Sequence, residues 1–290
     1  MADVEIRALR PEDVEAAYGL LAEQHTADFG EIEMTAQMYA NTVAIADRAY
    51  VVETERGVAG TAKLDGEDVD VLVRPSERRT GIGTALLRAV EADARTRRLQ
   101  LSALASEPAA EPFARANGYE KAWEFWLMGV DLREGPHERA WPDGVEVRTF
   151  RAEDADEVKN LLDLAYADEP GHVPLTLENW KTFMLTDPSF DPEAWFLAVA
   201  DGRMVGAALN WKEGYVKDLV VHPDWRRRGL GRALMEQTFA EFVRRGIGRL
   251  TLKTDSINPT EAWRLYERLG MRKERTYEVF EKRLSRRPAA

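Results

Sequence analysis

The strongest constraint on this chain is that it repeats itself. VEIRALRPED at residues 4–13 returns as VEVRTFRAED at 145–154, and ERRTGIGTAL at 77–86 returns as WRRRGLGRAL at 225–234. Between these anchors AYVVETERGVAG (49–60) parallels WFLAVADGRMVG (195–206), and ARANGY (114–119) parallels YERLGM (266–271). Four matches in one order, with offsets that drift only from 141 to 152, point to a duplicated unit of ordinary domain size. A chain of 290 residues therefore reads as two like domains rather than one large core. The boundary falls at REGPHERAWPDG (133–144), which is polar and carries two prolines. The expected division is 1–134 for the first domain, 135–144 for the linker and 145–290 for the second.

Both copies share one coarse order. A short strand (5–9; 146–150) leads through an acidic helix start into helical apolar spacing at Val14, Ala17, Leu20, Leu21 and at Val158, Leu161, Leu162, Ala165. Two strands joined by a turn follow, and Asp201-Gly202 is a hairpin signal. A further strand (VDVLV; KDLVV), a glycine turn, a helix, a buried strand, a helix and a closing pair of strands complete the unit. Such mixing predicts an α+β fold: two tandem domains, each a mixed, mostly antiparallel sheet flanked by helices.

Composition removes several classes of function. There are no cysteines, and the four histidines show no ligand spacing, so no metal is expected. Net charge is -11, with 26 acidic and 16 basic side chains in the first 140 residues and 25 and 24 in the rest, so neither half favours a nucleic-acid backbone. The chain has no apolar run of about 18 residues, and its start lacks the pattern of a secretory signal. No membrane partner and a cytoplasmic location are expected.

Against this acidity, three arginines before Gly-Leu-Gly at 226–231 call for a local anion. After Leu219-Val220-Val221 the chain must leave the sheet, turn tightly and start a helix, and Gly229 and Gly231 leave backbone N–H groups facing outward. Those donors, unpaired inside the helix and aided by its dipole, form an anion site, with Arg226, Arg228 or Arg232 to neutralise the guest. Several donors converging over a short arc suit a diphosphate better than a lone carboxylate. A dinucleotide fingerprint needs a third glycine where Leu234 and Leu86 stand, and an ATP-type loop needs Gly-Lys-Ser/Thr; neither spacing is met.

Strand, Pro, Arg-x-x-Gly-x-Gly, helix resembles the acetyl-CoA pyrophosphate turn of the GNAT acetyltransferases, present as RRRGLG (226–231) and RRTGIG (78–83). NPTEAWRLYERLGM (258–271) is similar to that family's second motif. The tandem layout further resembles mycothiol synthase and related two-domain bacterial acetyltransferases. The resemblance implies acetyl-CoA as cofactor and direct acetyl transfer to a primary amine of a small molecule. It makes Tyr266 the acid that protonates the departing thiolate, and gives Asn258 a place beside the cofactor. The N–H groups of Leu219, Val220 and Val221 would bind pantetheine and polarise the acetyl carbonyl; Arg226, Arg228, Gly229, Leu230, Gly231 and Arg232 would hold the diphosphate. Asp218 is the first candidate for the base that deprotonates the amine, Glu213 the second.

By the same matching, Leu72, Val73, Arg78, Thr80, Gly81, Gly83 and Thr84 form a cofactor turn in the first copy. That copy has Ala114 where Tyr266 stands and Ser106 where Asn258 stands. It is expected to hold CoA or to keep only the scaffold, with the chemistry in the second copy. On the acceptor side, Asp168 and Glu169 would attract a cation, with Trp180 and Phe183 as an apolar wall. Alternatives within the resemblance are a protein lysine or N-terminal acetyltransferase, and, outside catalysis, an acyl-CoA-binding sensor.

Overall fold

The computed structural model describes residues 5–30, 32, 34–132, 141–169 and 174–284. Most of the expected linker, at 135–140, lies outside the described residues. In chain order the first copy contains β1 (Ile6–Ala8), α1 (Val14–Phe29), α2 (Ala36–Ile45), β2 (Arg48–Thr54), β3 (Gly57–Asp65), β4 (Asp68–Val73), α3 (Ile82–Asp93), β5 (Arg98–Leu104), α4 (Ala110–Ala116) and β6 (Glu120–Asp131). The second contains β7 (Val145–Thr149), α5 (Ala155–Tyr166), α6 (Leu177–Leu185), β8 (Phe196–Ala200), β9 (Arg203–Trp211), β10 (Tyr215–Val221), α7 (Leu230–Arg244), β11 (Arg249–Asp255), α8 (Ala262–Arg268) and β12 (Arg272–Arg283). The duplicated order thus holds element by element. The closing pair of strands expected in each copy is instead one strand of twelve residues, because neither stretch contains a glycine-proline break.

The repeated opening motif makes the same clamp twice. Arg7 on β1 donates to both carboxylate oxygens of Asp13 at 2.6 and 2.8 Å, and Arg148 on β7 does so to Asp154 at 2.6 Å twice. Each aspartate also accepts the N–H of the residue three before it, Arg10 or Arg151, at 2.7 Å. The carboxylate therefore both closes the helix entry and fixes the strand beside it. The Asp201-Gly202 hairpin signal is met as well, with both residues at positive φ (49° and 72°) between β8 and β9.

The chain forms two compact units, Met1–Trp123 with Glu278–Ala290, and Glu124–Tyr277. This division differs from the expected 1–134 and 145–290. In the second unit the strand beside β11 is β6, antiparallel from Arg249↔Asp131 to Asp255↔Phe125. In the first, the end of β12 lies next to β5: Phe280 is buried in that core, and Arg98 and Gln100 donate to Glu281. Each unit is thus completed by the last strand of the other copy. Open edges built from homologous β5 and β11 offer the same hydrogen-bonding groups, so the local sequence does not dictate which last strand fills which edge.

Within each unit the sheet is antiparallel through its first four strands and parallel at one junction, β4 with β5 and β10 with β11. That junction is short. β10 meets β11 only at Tyr215↔Thr251 and Val216↔Leu252, while on its other side β10 stays paired with β9 as far as Val221↔Gly206. The strands part beyond Val216. A bulge at Lys217, which has no partner on β9, adds local twist at the point of divergence. Helix α7 covers one face through Leu230, Leu234, Met235, Phe239 and Phe242, all buried. On the opposite side Trp195, fully buried, is ringed by Phe150, Trp180, Phe190 and Trp211.

Candidate active site

Where β10 and β11 separate, a cleft of ≈ 760 Å³ opens in the second unit, a size suited to a small-molecule site. One wall is the unpaired side of Leu219, Val220 and Val221. Alternate amides there point away from β9 and have no strand to bond. The floor is the start of α7. Gly229 caps that helix at φ 87°, a left-handed conformation that costs glycine little, and no side chain caps the first turn. The first bond within the helix is Ala233 N–H to Gly229 C=O at 3.0 Å, so the amides of Leu230, Gly231 and Arg232 precede the ladder and face the cleft.

The arginines divide their work. Arg226 lines the cleft and is held by carbonyl oxygens, donating to Ala165 at 2.8 Å and to Val221 at 3.4 Å. Because carbonyls leave its charge uncancelled, it keeps a full positive charge beside the helix start. Arg232 also lines the cleft, paired with Glu236 at 2.7 Å. Arg228, expected to share the anion, instead stacks over the Trp225 ring at 4.9 Å and is not part of the lining. Its place is taken by Arg227, which sequence reasoning missed. Arg227 adopts φ 62°, as does Arg79 at 65° in the first copy, and this left-handed turn swaps which side chain faces inward.

At the other end of the cleft stand Tyr266, Asn258 and Glu169. Tyr266, on α8, is 6% exposed, and among the described residues its hydroxyl makes no hydrogen bond. Burial makes its proton harder to remove, and the Glu169 and Asp218 carboxylates add to the effect. The neutral phenol is therefore kept, as a proton donor requires. Asn258 donates to Glu169 at 2.6 Å and accepts from the Thr260 N–H and hydroxyl at 2.8 and 2.6 Å. Burial first, then Asp255 and Asp218, push the Glu169 carboxyl up to about 7, while Arg226 and the Asn258 amide act against the rise. The sequence by itself marks Glu169 only as an attractor of cations.

The two candidate bases do not reach the cleft. Asp218 accepts the Tyr166 hydroxyl at 2.8 Å, has Lys217 at 3.9 Å, and lies behind Tyr166, which is the residue that lines the cavity. Glu213 is exposed in the turn between β9 and β10, outside the lining, because the hairpin carries it past the end of the sheet. Asp168 is exposed, and Trp180 belongs to the core around Trp195 rather than to an acceptor wall. Asp255, at the end of β11, lines the cleft, and burial pushes its carboxyl up to about 6. A strand-end carboxylate facing the phosphate-turn strand across the parallel junction was the signal that could have singled it out.

The first unit builds the same turn with different contents. Gly81 caps α3 at φ 96°, the first helical bond is Ala85 N–H to Gly81 C=O, and so the amides of Ile82, Gly83 and Thr84 stand free of the ladder. Thr80 donates to Glu77 at 2.6 Å and Arg78 to Val73 at 3.4 Å, but Arg78 is also paired with Glu107 at 3.3 Å. A Cβ at Gly83 would lie 3.2 Å from Phe113 and 3.3 Å from Val73, so the mouth beyond Leu72 and Val73 is narrow. Ala114, in the place of Tyr266, is buried and carries no acid.

An uncapped helix start facing a splayed parallel strand pair, built twice, defines an acyl-CoA-type transferase fold. Residues 155–271 match the Acetyltransferase (GNAT) family and residues 46–121 the Acetyltransferase (GNAT) domain, and the chain belongs to this family as a tandem GNAT acetyltransferase. Among its relatives, a mycothiol acetyltransferase of Thermomonospora curvata is 33% identical over 264 residues, covering 86% of this chain and 87% of that protein. Another, of Clavibacter michiganensis subsp. michiganensis, is 33% identical over 228 residues, covering 74% and 72%. A solved GCN5-related N-acetyltransferase of Sphaerobacter thermophilus matches with a TM-score of 0.73 at 28% identity, covering 98% of this chain and 96% of that one. A tandem GNAT protein from the clavulanic acid biosynthesis pathway matches with a TM-score of 0.71 at 19% identity over 99% and 100%, a likeness of fold alone. Among the described residues no helix is long and apolar enough to cross a membrane, and no cluster of His, Asp or Glu could hold a metal ion.

Proposed function

We propose that the second unit moves an acetyl group from acetyl-CoA directly to a primary amine of a small molecule. The observation that carries this reading is that one cleft holds both an uncapped helix start with unneutralised arginine and, at its far end, a buried neutral phenol beside a raised carboxyl. The names of the curated relatives support a small-molecule acceptor.

The residues fit the cofactor on this chain's own geometry. Amides of Leu230, Gly231 and Arg232, with Arg226 and Arg227, would take the diphosphate. When bound, acetyl-CoA supplies the activated acetyl group. Free amides along Leu219, Val220 and Val221 would bind the pantetheine arm and stabilise negative charge developing on the acetyl oxygen, an interaction that favours the transition state over the ground state. Tyr266 donates its proton to the leaving sulfur.

Glu169 replaces Asp218 and Glu213 as the base. A carboxyl near 7 is half ionised at neutral pH and can take the ammonium proton before attack. Asn258 fixes one oxygen of Glu169 and leaves the other for the amine. Asp218 acts through Tyr166, holding that ring against the cleft. The first unit, lacking a counterpart to Tyr266, keeps the scaffold and does no chemistry.

The test is release of free thiol from acetyl-CoA across a panel of small amines and lysine peptides, with thermal shift by CoA alongside. Thiol release confined to small amines is expected. Release with peptides alone would move the acceptor to proteins, and CoA stabilisation without any release would make the protein a sensor.

A further inference from the structure

Two carboxylates, Glu169 and Asp255, line the acceptor end of the cleft, with Asp218 behind Tyr166, and the catalytic assignment uses one. Glu169 takes the proton, and Asp218 is engaged by Tyr166. Asp255 is left over. It lines the cavity at the end of β11, and among the described residues its carboxylate is in no salt bridge and accepts no hydrogen bond. Such a group is expensive to keep, since a charge taken from water needs a partner. The buried hydroxyl of Tyr266, without a hydrogen-bond partner among the described residues, opens into the same space, so the place is shaped for a guest rather than filled by the described part of the fold. Among the described residues, Glu169, Asp218 and Asp255 do not converge as a metal site.

The two copies sharpen the point. Matching Gly118 on Gly270 sets Ala103 against Asp255, Ser106 against Asn258 and Ala114 against Tyr266. The copy without the acid and the amide is also without this carboxylate, although it retains Asp70 opposite Asp218. Asp255 thus goes with the reacting end of the cleft and is not required by the strand.

We propose that the acceptor is a diamine, or an amine with a second fixed cation, whose distal ammonium is seated on Asp255 while its reacting amine faces Glu169. This rests on the acetyl-transfer reading and names the acceptor class within it. An anionic acceptor would meet repulsion from Glu169 and Asp255, and a neutral monoamine would leave Asp255 without a partner. Asp255 is then a specificity residue and takes no part in proton transfer.

The experiment compares diaminobutane, butylamine and aminobutyrate as acceptors for the full chain and for Asp255→Asn. The wild type is expected to prefer diaminobutane. In Asp255→Asn at pH 8, where Glu169 is ionised in either protein, the KM for diaminobutane should rise by about ten- to a hundredfold, the worth of one charge-assisted contact, with kcat and the constants for butylamine little changed. Equal use of butylamine and diaminobutane by the wild type, or an unaltered diamine KM in the variant, would overturn the proposal while leaving acetyl transfer intact. If none of the three amines releases thiol, calorimetric titration of diaminobutane into the CoA-saturated chain decides. Binding to wild type but not to Asp255→Asn supports the seat; absent or equal binding removes it. A melting curve for Asp255→Asn at least as high as wild type at pH 8 shows that the variant is folded.

Discussion

Replacing Glu169 by Gln tests the proton path most directly. The change keeps side-chain volume and an oxygen for the Asn258 amide, which lies 2.6 Å away, and removes only the ability to accept a proton. With its carboxyl at about 7, Glu169 is ionised in about a tenth of molecules at pH 6 and about nine tenths at pH 8. Wild-type kcat/KM should therefore rise about tenfold over that interval and level off, until the amine itself loses its proton. On this limb burial first, then the Asp255 and Asp218 carboxylates, hold the proton on, and Arg226 and Asn258 favour its loss. In Glu169→Gln the limb should vanish, and kcat/KM at pH 8 should fall by about 10²–10⁴, the usual contribution of a positioned base. In barrier terms that is about 3–5 kcal/mol. The assay is steady-state thiol release at subsaturating amine from pH 5.5 to 9, with acetyl-CoA saturating. A variant that kept the limb and lost less than threefold would show that the proton leaves by another route, and the role given to Glu169 would fail.

Three further outcomes are expected. Tyr266→Phe should lower kcat by about 10²–10³ while leaving CoA affinity unchanged by calorimetry, whereas altering both Gly81 and Gly83 should leave turnover intact; the reverse pattern would move the chemistry to the first unit. Gly229→Ala meets no atom within 4 Å but must hold φ 87°, so it should cost about 1 kcal/mol in denaturant unfolding and weaken CoA binding through the displaced amides. Asp255→Asn should stabilise the fold by about 1–3 kcal/mol at pH 8 and by nothing at pH 4. The sign follows because burial lifts the folded carboxyl to about 6: the folded state binds the extra proton between the ordinary value near 4 and 6, so wild-type stability falls as pH rises through that window. Equal melting of wild type and variant at pH 8 would count against burial as the cause.

Much of this protein was legible in the sequence because it depends on local chemistry. Duplication is visible as repeated strings, and each string folds the same way: Arg7–Asp13 and Arg148–Asp154 make one clamp, Gly81 and Gly229 one left-handed cap. The uncapped helix start, with the free amides of Leu230, Gly231 and Arg232, follows from glycine, the missing helix bonds and the strand before them. Tyr266 and Asn258 could be singled out because NPTEAWRLYERLGM (258–271) resembles the family's second motif, and both line the cleft. What only the tertiary structure decided involves partners far apart in the chain. Glu169 and Asn258 meet across 89 residues, and it is burial there, with Asp255 and Asp218 nearby and against the pull of Arg226 and the Asn258 amide, that brings an ordinary carboxylate near neutrality. Asp218 and Glu213 looked as suitable by type, but a bulge and a hairpin turn carried one behind Tyr166 and the other into solvent. The exchange of β6 and β12 was equally hidden, since two homologous strand edges present the same backbone donors and acceptors and the side-chain pattern fits both. Local sequence sets what each segment becomes; desolvation and the pairing of distant groups, which exist only once the chain is packed, set which of its acids can do chemistry.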